Sequence, residues 1–128
     1  MSETPYYPAI TPYLIIENAA GLLDFLQEVF GAEARSVQHR EDGRTIMHAE
    51  VTIGEGLVMI ADSTEEFPES PAVLYVYLDE VDKYYKTALK AGAKSLEEPN
   101  NQEYGHRRAA FADKHKNHWW IASPIQAK

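Results

Sequence analysis

The sequence contains no cysteine, so it has no disulfide framework, no thiolate metal site and no thiol nucleophile. It also lacks any apolar run near the ~20 residues of a membrane span, which excludes a membrane partner of the helical kind. Residues 1–7 are polar, carry Pro5 and show no basic-then-apolar leader pattern, so a cytoplasmic protein is expected. Positive charge is scarce: 12 Lys and Arg stand against 20 Asp and Glu, a formal charge of −8. That field repels phosphate backbones and argues against nucleic acid as a partner. What remains is an ordinary globular mixture, 45% apolar and 25% charged over 128 residues, enough for one domain and too short for two full cores.

The run 10–17, ITPYLIIE, is rich in β-branched and aromatic residues and reads as a strand. Asn18 offers an N-cap. Leu22, Phe25, Leu26, Val29 and Phe30 then fall at i, i+3, i+4, i+7 and i+8, one apolar helical stripe that Gly31 stops. Three strand-like runs follow at 34–40, 44–53 and 57–62, parted by Asp42-Gly43 and Gly54-Glu55-Gly56, both hairpin signals. Residues 63–71, with Pro68, Pro71 and the glutamates Glu65, Glu66 and Glu69, lose all periodicity and read as a solvated polar linker.

After the linker the order returns. A strand over 72–78 precedes Asp79 as a second N-cap, and Val81, Tyr84, Tyr85, Ala88 and Leu89 repeat the helical stripe up to Gly92. Strands at 93–97, 106–112 and 117–123 close the chain. The two helix-stop glycines lie 61 positions apart and the hairpin glycines Gly43 and Gly105 lie 62 apart, so one βαβββ unit is written twice. The expected fold is α+β: a single domain over 1–128, with module 1 at about 8–62, the linker at 63–71 and module 2 at about 72–123. One helix cannot cover both faces of a four-stranded sheet, so the expected arrangement is a curved mixed sheet enclosing a cavity, with the helices outside.

The pattern resembles the vicinal oxygen chelate superfamily of glyoxalase I, extradiol dioxygenases and fosfomycin and bleomycin resistance proteins, and within it the small PhnB-like and glyoxalase/bleomycin-resistance-like proteins. The residues that carry the likeness are Thr11-Pro12-Tyr13-Leu14, Val29-Phe30-Gly31-Ala32-Glu33, Asp42-Gly43 with His48-Ala49-Glu50, and 74–82. Ala91-Gly92-Ala93, Tyr104-Gly105-His106-Arg107 and Asp113 followed by 117–122 complete it. Two features depart from the family pattern. Its Phe-Tyr in the first helix is Phe25-Leu26 here, and its Asp-Pro-x-Gly turn reads Asp113-Lys114-His115-Lys116-Asn117, without the Pro and Gly that would stiffen it.

Metal-dependent members resemble one another in placing His, Gln or Glu on the first and last strands of each module. A divalent ion held there acts as a Lewis acid on a bidentate oxygen substrate. Carried over one at a time, those positions fall on Thr11, Met59, Val73 and Trp120, none a usual ligand. No metal and no other cofactor is therefore expected. Side chains two apart on a strand share a face, so Tyr13, Leu57, Ala61, Tyr75, Tyr77 and His118 join those four in the hollow. On the third strand Met47, Ala49, Val51 and Ile53 form the apolar, helix-covered set, which turns His48 and Glu50 inward.

The expected ligand-binding set is Tyr13, His48, Glu50, Met59, Tyr75, Tyr77, Arg107 and Trp120, rings with polar tips suited to a planar organic molecule and Arg107 suited to a carboxylate. No catalytic residue is assigned. The expected function is metal-independent binding of a small aromatic or hydrophobic molecule, in the manner of bleomycin-resistance-like proteins, by the homodimer that the resemblance implies. Two alternatives stand beside it. One is a glyoxalase- or dioxygenase-type metalloenzyme with His48, Glu50 and His118 as unconventional ligands; the other is an interaction module whose aromatic face a partner covers.

Overall fold

The computed structural model describes residues 6–125; the polar residues 1–5, on which much of the leader-free reading rests, lie outside the described residues. The elements are β1 (Tyr13–Ile16), α1 (Ala19–Phe30), β2 (Glu33–His39), β3 (Ile46–Ile53), β4 (Gly56–Asp62), β5 (Val73–Tyr77), α2 (Val81–Lys90), β6 (Lys94–Asn101), β7 (His106–Ala112) and β8 (His118–Pro124). They form two four-stranded mixed sheets, β1-β4-β3-β2 (sheet 1) and β5-β8-β7-β6 (sheet 2), each with one parallel pair, β1 with β4 and β5 with β8. The duplicated βαβββ order is therefore present in space as well as in sequence.

Both apolar stripes face the core: Leu22, Phe25, Leu26, Val29 and Phe30 on α1 and Val81, Tyr85 and Ala88 on α2 are buried, while Tyr84 and Leu89 of α2 are half-buried against it. The rings show where the helices sit. Phe30 of α1 lies 5.5 Å from Trp119 and 6.2 Å from Phe111, both on sheet 2, and 5.7 Å from Tyr84 of α2. Phe25 meets Phe111 at 6.1 Å. The helices thus lie together between the covered faces of the two sheets, inside one shared core and outside the hollow face of either sheet. The reason is area: Trp119 and Phe111 are fully buried and need the α1 rings Phe25 and Phe30 against them. The sheets are not closed on each other, and their other faces, called open below, are turned away from the helices.

Local differences also have causes. β1 begins at Tyr13 and not at residue 10, because Pro12 cannot donate to the ladder and Thr11 turns its hydroxyl onto the Pro8 carbonyl, 3.1 Å away. Gln38 pairs with His48 but His39 with Ile46, so Met47 is the extra residue of a bulge; it is exposed, not covered as expected. Asn18 caps α1 by accepting from the Gly21 amide at 3.2 Å. The second N-cap is Glu80, not Asp79, and no side chain caps it. The turn over 113–117, expected to lose rigidity, is held by the buried Asp113 carboxylate. It accepts from the backbone amides of His115 and Asn117, from Asn117 Nδ2 and from Trp119 Nε1 at 2.7–3.0 Å. Lys116 takes the left-handed conformation, φ 72, where the family pattern has glycine.

Candidate functional site

On the open face of sheet 1, cross-strand register puts Tyr13, Met59 and Glu50 in one row, as alternation predicts. His48 stands beside them. Its Nδ1 is 3.4 Å from the Tyr13 hydroxyl and its Nε2 is 3.5 Å from Glu50 Oε2. These separations orient the three groups but exceed the 2.6–3.2 Å or so of a tight proton-transfer pair. Glu50 is only 7% exposed although it sits on an open sheet face. Arg35 Nε donates to its Oε1 at 3.0 Å, and the Tyr7 hydroxyl donates to Oε2 at 2.8 Å. Burial pushes the Glu50 carboxyl up, but the hydrogen bonds from Tyr7, Arg35 and His48 together outweigh it and hold the group below the ordinary glutamate range.

Sheet 2 presents a run of rings. Tyr75 and Trp120 are register partners, with ring planes within 3° and centroids 6.5 Å apart. Tyr77 lies 5.3 Å from Tyr75 and 5.9 Å from His106, which in turn lies 5.2 Å from Tyr104. Arg108 sets its guanidinium 5.1 Å from the centre of the Trp120 ring. It also holds Glu97 through two nitrogens, at 2.8 and 3.0 Å, and that pairing, against the opposing effect of burial, lowers the Glu97 carboxyl.

Arg107 is not in this group. Register pairs it with Ser123, and it reaches the covered-side helix, where Nη2 donates to Asp82 Oδ2 at 2.8 Å. The cationic residue facing the open side is its neighbour Arg108. The signal was available: buried Phe111 and Ala109 share a face with residue 107 by alternation, which leaves 108 on the other. Tyr7 and Arg35 carried no such signal, since the first lies on an arm outside any strand and the second at a bulge between Ala34 and Ser36. Seven of the eight expected site residues are thus divided between two open faces, Tyr13, His48, Glu50 and Met59 on one and Tyr75, Tyr77 and Trp120 on the other.

The positions at which chelating members hold metal do not fit a divalent ion. Thr11 is engaged with Pro8, Met59 and Trp120 lie mid-strand, and Val73 is exposed and apolar. Among the described residues no three His, Asp or Glu side chains gather into a metal-binding group, and His118 stands on a different sheet from His48 and Glu50. Among the described residues no helix is long and apolar enough to cross a membrane.

The chain is similar to three known proteins. It is 28% identical over 130 residues to an uncharacterized protein of Mycobacterium bovis, covering 93% of this chain and 85% of that one. The crystal structure of TioX from Micromonospora sp. ML1 superposes with a TM-score of 0.75 at 22% identity, covering 94% of this chain and 99% of that one. TnmS3, an antibiotic binding protein from Streptomyces sp. CB03234, superposes with a TM-score of 0.67 at 21% identity, covering 92% and 99%. The pattern of the Glyoxalase/Bleomycin resistance protein/Dioxygenase superfamily matches residues 10–121, and the chain belongs to that family.

Proposed function

We propose that the protein binds a small planar aromatic or hydrophobic molecule without a metal. The observation that carries this reading is the ring surface of sheet 2, where Tyr75 and Trp120 stand parallel with Tyr77 beside them and Arg108 over the indole. Rings with polar tips bury large apolar area while keeping direction, which suits recognition of flat amphipathic ligands. Likeness of fold to an antibiotic binding protein supports the binding of a small molecule. The metalloenzyme reading is disfavoured on electrostatic grounds, since the Arg35 guanidinium already neutralises Glu50, the best oxygen donor of its proposed ligand set.

The binding form is a homodimer. Tyr13, Tyr75, Tyr77 and Val73 are between 44 and 70% exposed on the open faces, and a second copy would cover them and turn two open faces into a hollow. An unidentified partner of another kind would cover them equally, and sedimentation separates the two: a dimer at micromolar concentration supports this reading, a strict monomer contradicts it. The function itself is tested by a thermal-shift screen of planar aromatic compounds on protein dialysed against EDTA. A ligand at about one hundred times its Kd stabilises by about 2.7 kcal/mol. Hits that survive EDTA support the proposal; hits that appear only after a divalent metal is restored overturn it.

A further inference from the structure

Three acidic side chains are buried among the described residues, Glu50, Asp62 and Asp113. The fold explains two of them. Asp62 accepts the backbone amides of Ala19 and Ile46, and Asp113 those of His115 and Asn117. Glu50 accepts no backbone amide. Its partners Tyr7, Arg35 and His48 are all side chains, so nothing in the sheet itself requires a carboxylate there. A charge is costly to remove from water, and this one is retained where only side chains receive it.

The shortest of those bonds comes from an unusual source. Tyr7 belongs to the segment 6–12, which forms no helix or strand, and it reaches 43 positions along the chain to lay its ring against sheet 1. The Arg35 guanidinium lies 4.7 Å from the centre of that ring, while the hydroxyl points at both oxygens of Glu50, 2.8 and 3.1 Å away. A flat ring, a cation over its face and a carboxylate at its hydroxyl together describe a receptor for a phenol. The acceptor selects a neutral O–H donor and rejects a phenolate by like-charge repulsion. Lifting Tyr7 would leave Glu50 Oε2 with only His48, at 3.5 Å.

We propose that the seat formed by Glu50 and Arg35 is a subsite for a phenolic ring of the ligand, and that Tyr7 is its built-in occupant until the ligand displaces it. The inference rests on the reading of the open faces as a site for planar aromatic molecules and adds the chemical group that anchors one end. A tethered phenol competes at the effective concentration its short linker gives it, in the millimolar range, so it weakens a free phenol without excluding a stronger ligand.

The test is chemical complementation with p-cresol, the free form of the tyrosine side chain, followed by amide chemical shifts. In Tyr7→Ala, p-cresol is expected to bind with shifts centred on Arg35, His48 and Glu50, at least about tenfold more tightly than in the unaltered protein, the ratio a charge-assisted hydrogen bond supports. 4-Methylanisole, which has no O–H to donate, is expected to bind at least about tenfold more weakly than p-cresol, and adding Glu50→Gln is expected to narrow that preference. Tyr7→Phe keeps the ring, so it serves if the alanine variant folds poorly; it too should admit p-cresol more readily. Equal affinity of p-cresol for the unaltered and Tyr7 variants, or equal binding of p-cresol and 4-methylanisole, overturns the proposal. If other aromatics still quench Trp120 in that event, only the subsite falls; if none binds anywhere, the wider reading falls with it.

Discussion

The placement of both helices between the sheets makes a strong demand on Phe30. This residue belongs to module 1, yet its ring lies 5.5 Å from Trp119 and 6.2 Å from Phe111 in module 2, and 5.7 Å from Tyr84. It is 9% exposed. Phe30→Ala removes a buried ring whose surroundings, built of other rings, collapse poorly, so the expected cost is about 3–5 kcal/mol. With an unfolding entropy of roughly 2.1 cal/mol/K per residue, the 128 residues give about 0.27 kcal/mol per degree, and a loss of about 4 kcal/mol lowers Tm by about 15 °C. Both tryptophans, Trp119 and Trp120, belong to module 2, so their fluorescence reports on the module that was not mutated. Urea unfolding followed by fluorescence and by far-UV circular dichroism should give coincident midpoints, both shifted by the same amount. An unmoved fluorescence transition, with ellipticity lost first, would refute the shared core.

Other perturbations probe smaller pieces. Asp113→Ala removes the acceptor for two backbone amides, Asn117 and the Trp119 indole, and should cost about 3 kcal/mol or more in chemical denaturation. Arg107→Ala breaks a half-exposed pair with Asp82 on the covered side, so it should change stability by about 1 kcal/mol or less and leave ligand affinity alone. Arg108→Ala, by contrast, should weaken binding of an aromatic ligand by about threefold to tenfold in a fluorescence titration through loss of the cation over Trp120. Glu50 is held below the usual glutamate range in the folded state, so its contribution is fully present above the unfolded value of about 4.3 and disappears as pH falls through the lower folded value. Stability measured from pH 6 to 3 should therefore fall less steeply in Glu50→Gln than in the unaltered protein; parallel curves would refute that.

Much of this architecture was legible in the sequence because it is written in period. The 3.6-residue stripes located α1 and α2, and the two-residue alternation placed Tyr13, Met59, Tyr75 and Trp120 on open faces. Alternation fails wherever a residue is inserted. The bulge at Met47 turned a covered position outward, and the bulge at Arg35 supplied a partner for Glu50 that no spacing rule announces. The choice of Arg108 over Arg107 was legible, since the apolar Ala109 and Phe111 mark the covered face of β7 and leave residue 108 on the other. The relation between the modules was not, since an apolar face records that it is covered but not by which helix.

The most direct test of the account is isothermal titration, on EDTA-dialysed protein, of the planar aromatic compound that gives the largest thermal shift. Affinity should be the same before and after EDTA, and should fall about tenfold or more in Trp120→Ala as ring stacking and buried area are lost together. Affinity that vanishes with EDTA and returns with nickel, zinc or iron, or that ignores the loss of Trp120, would contradict a metal-free, ring-lined site.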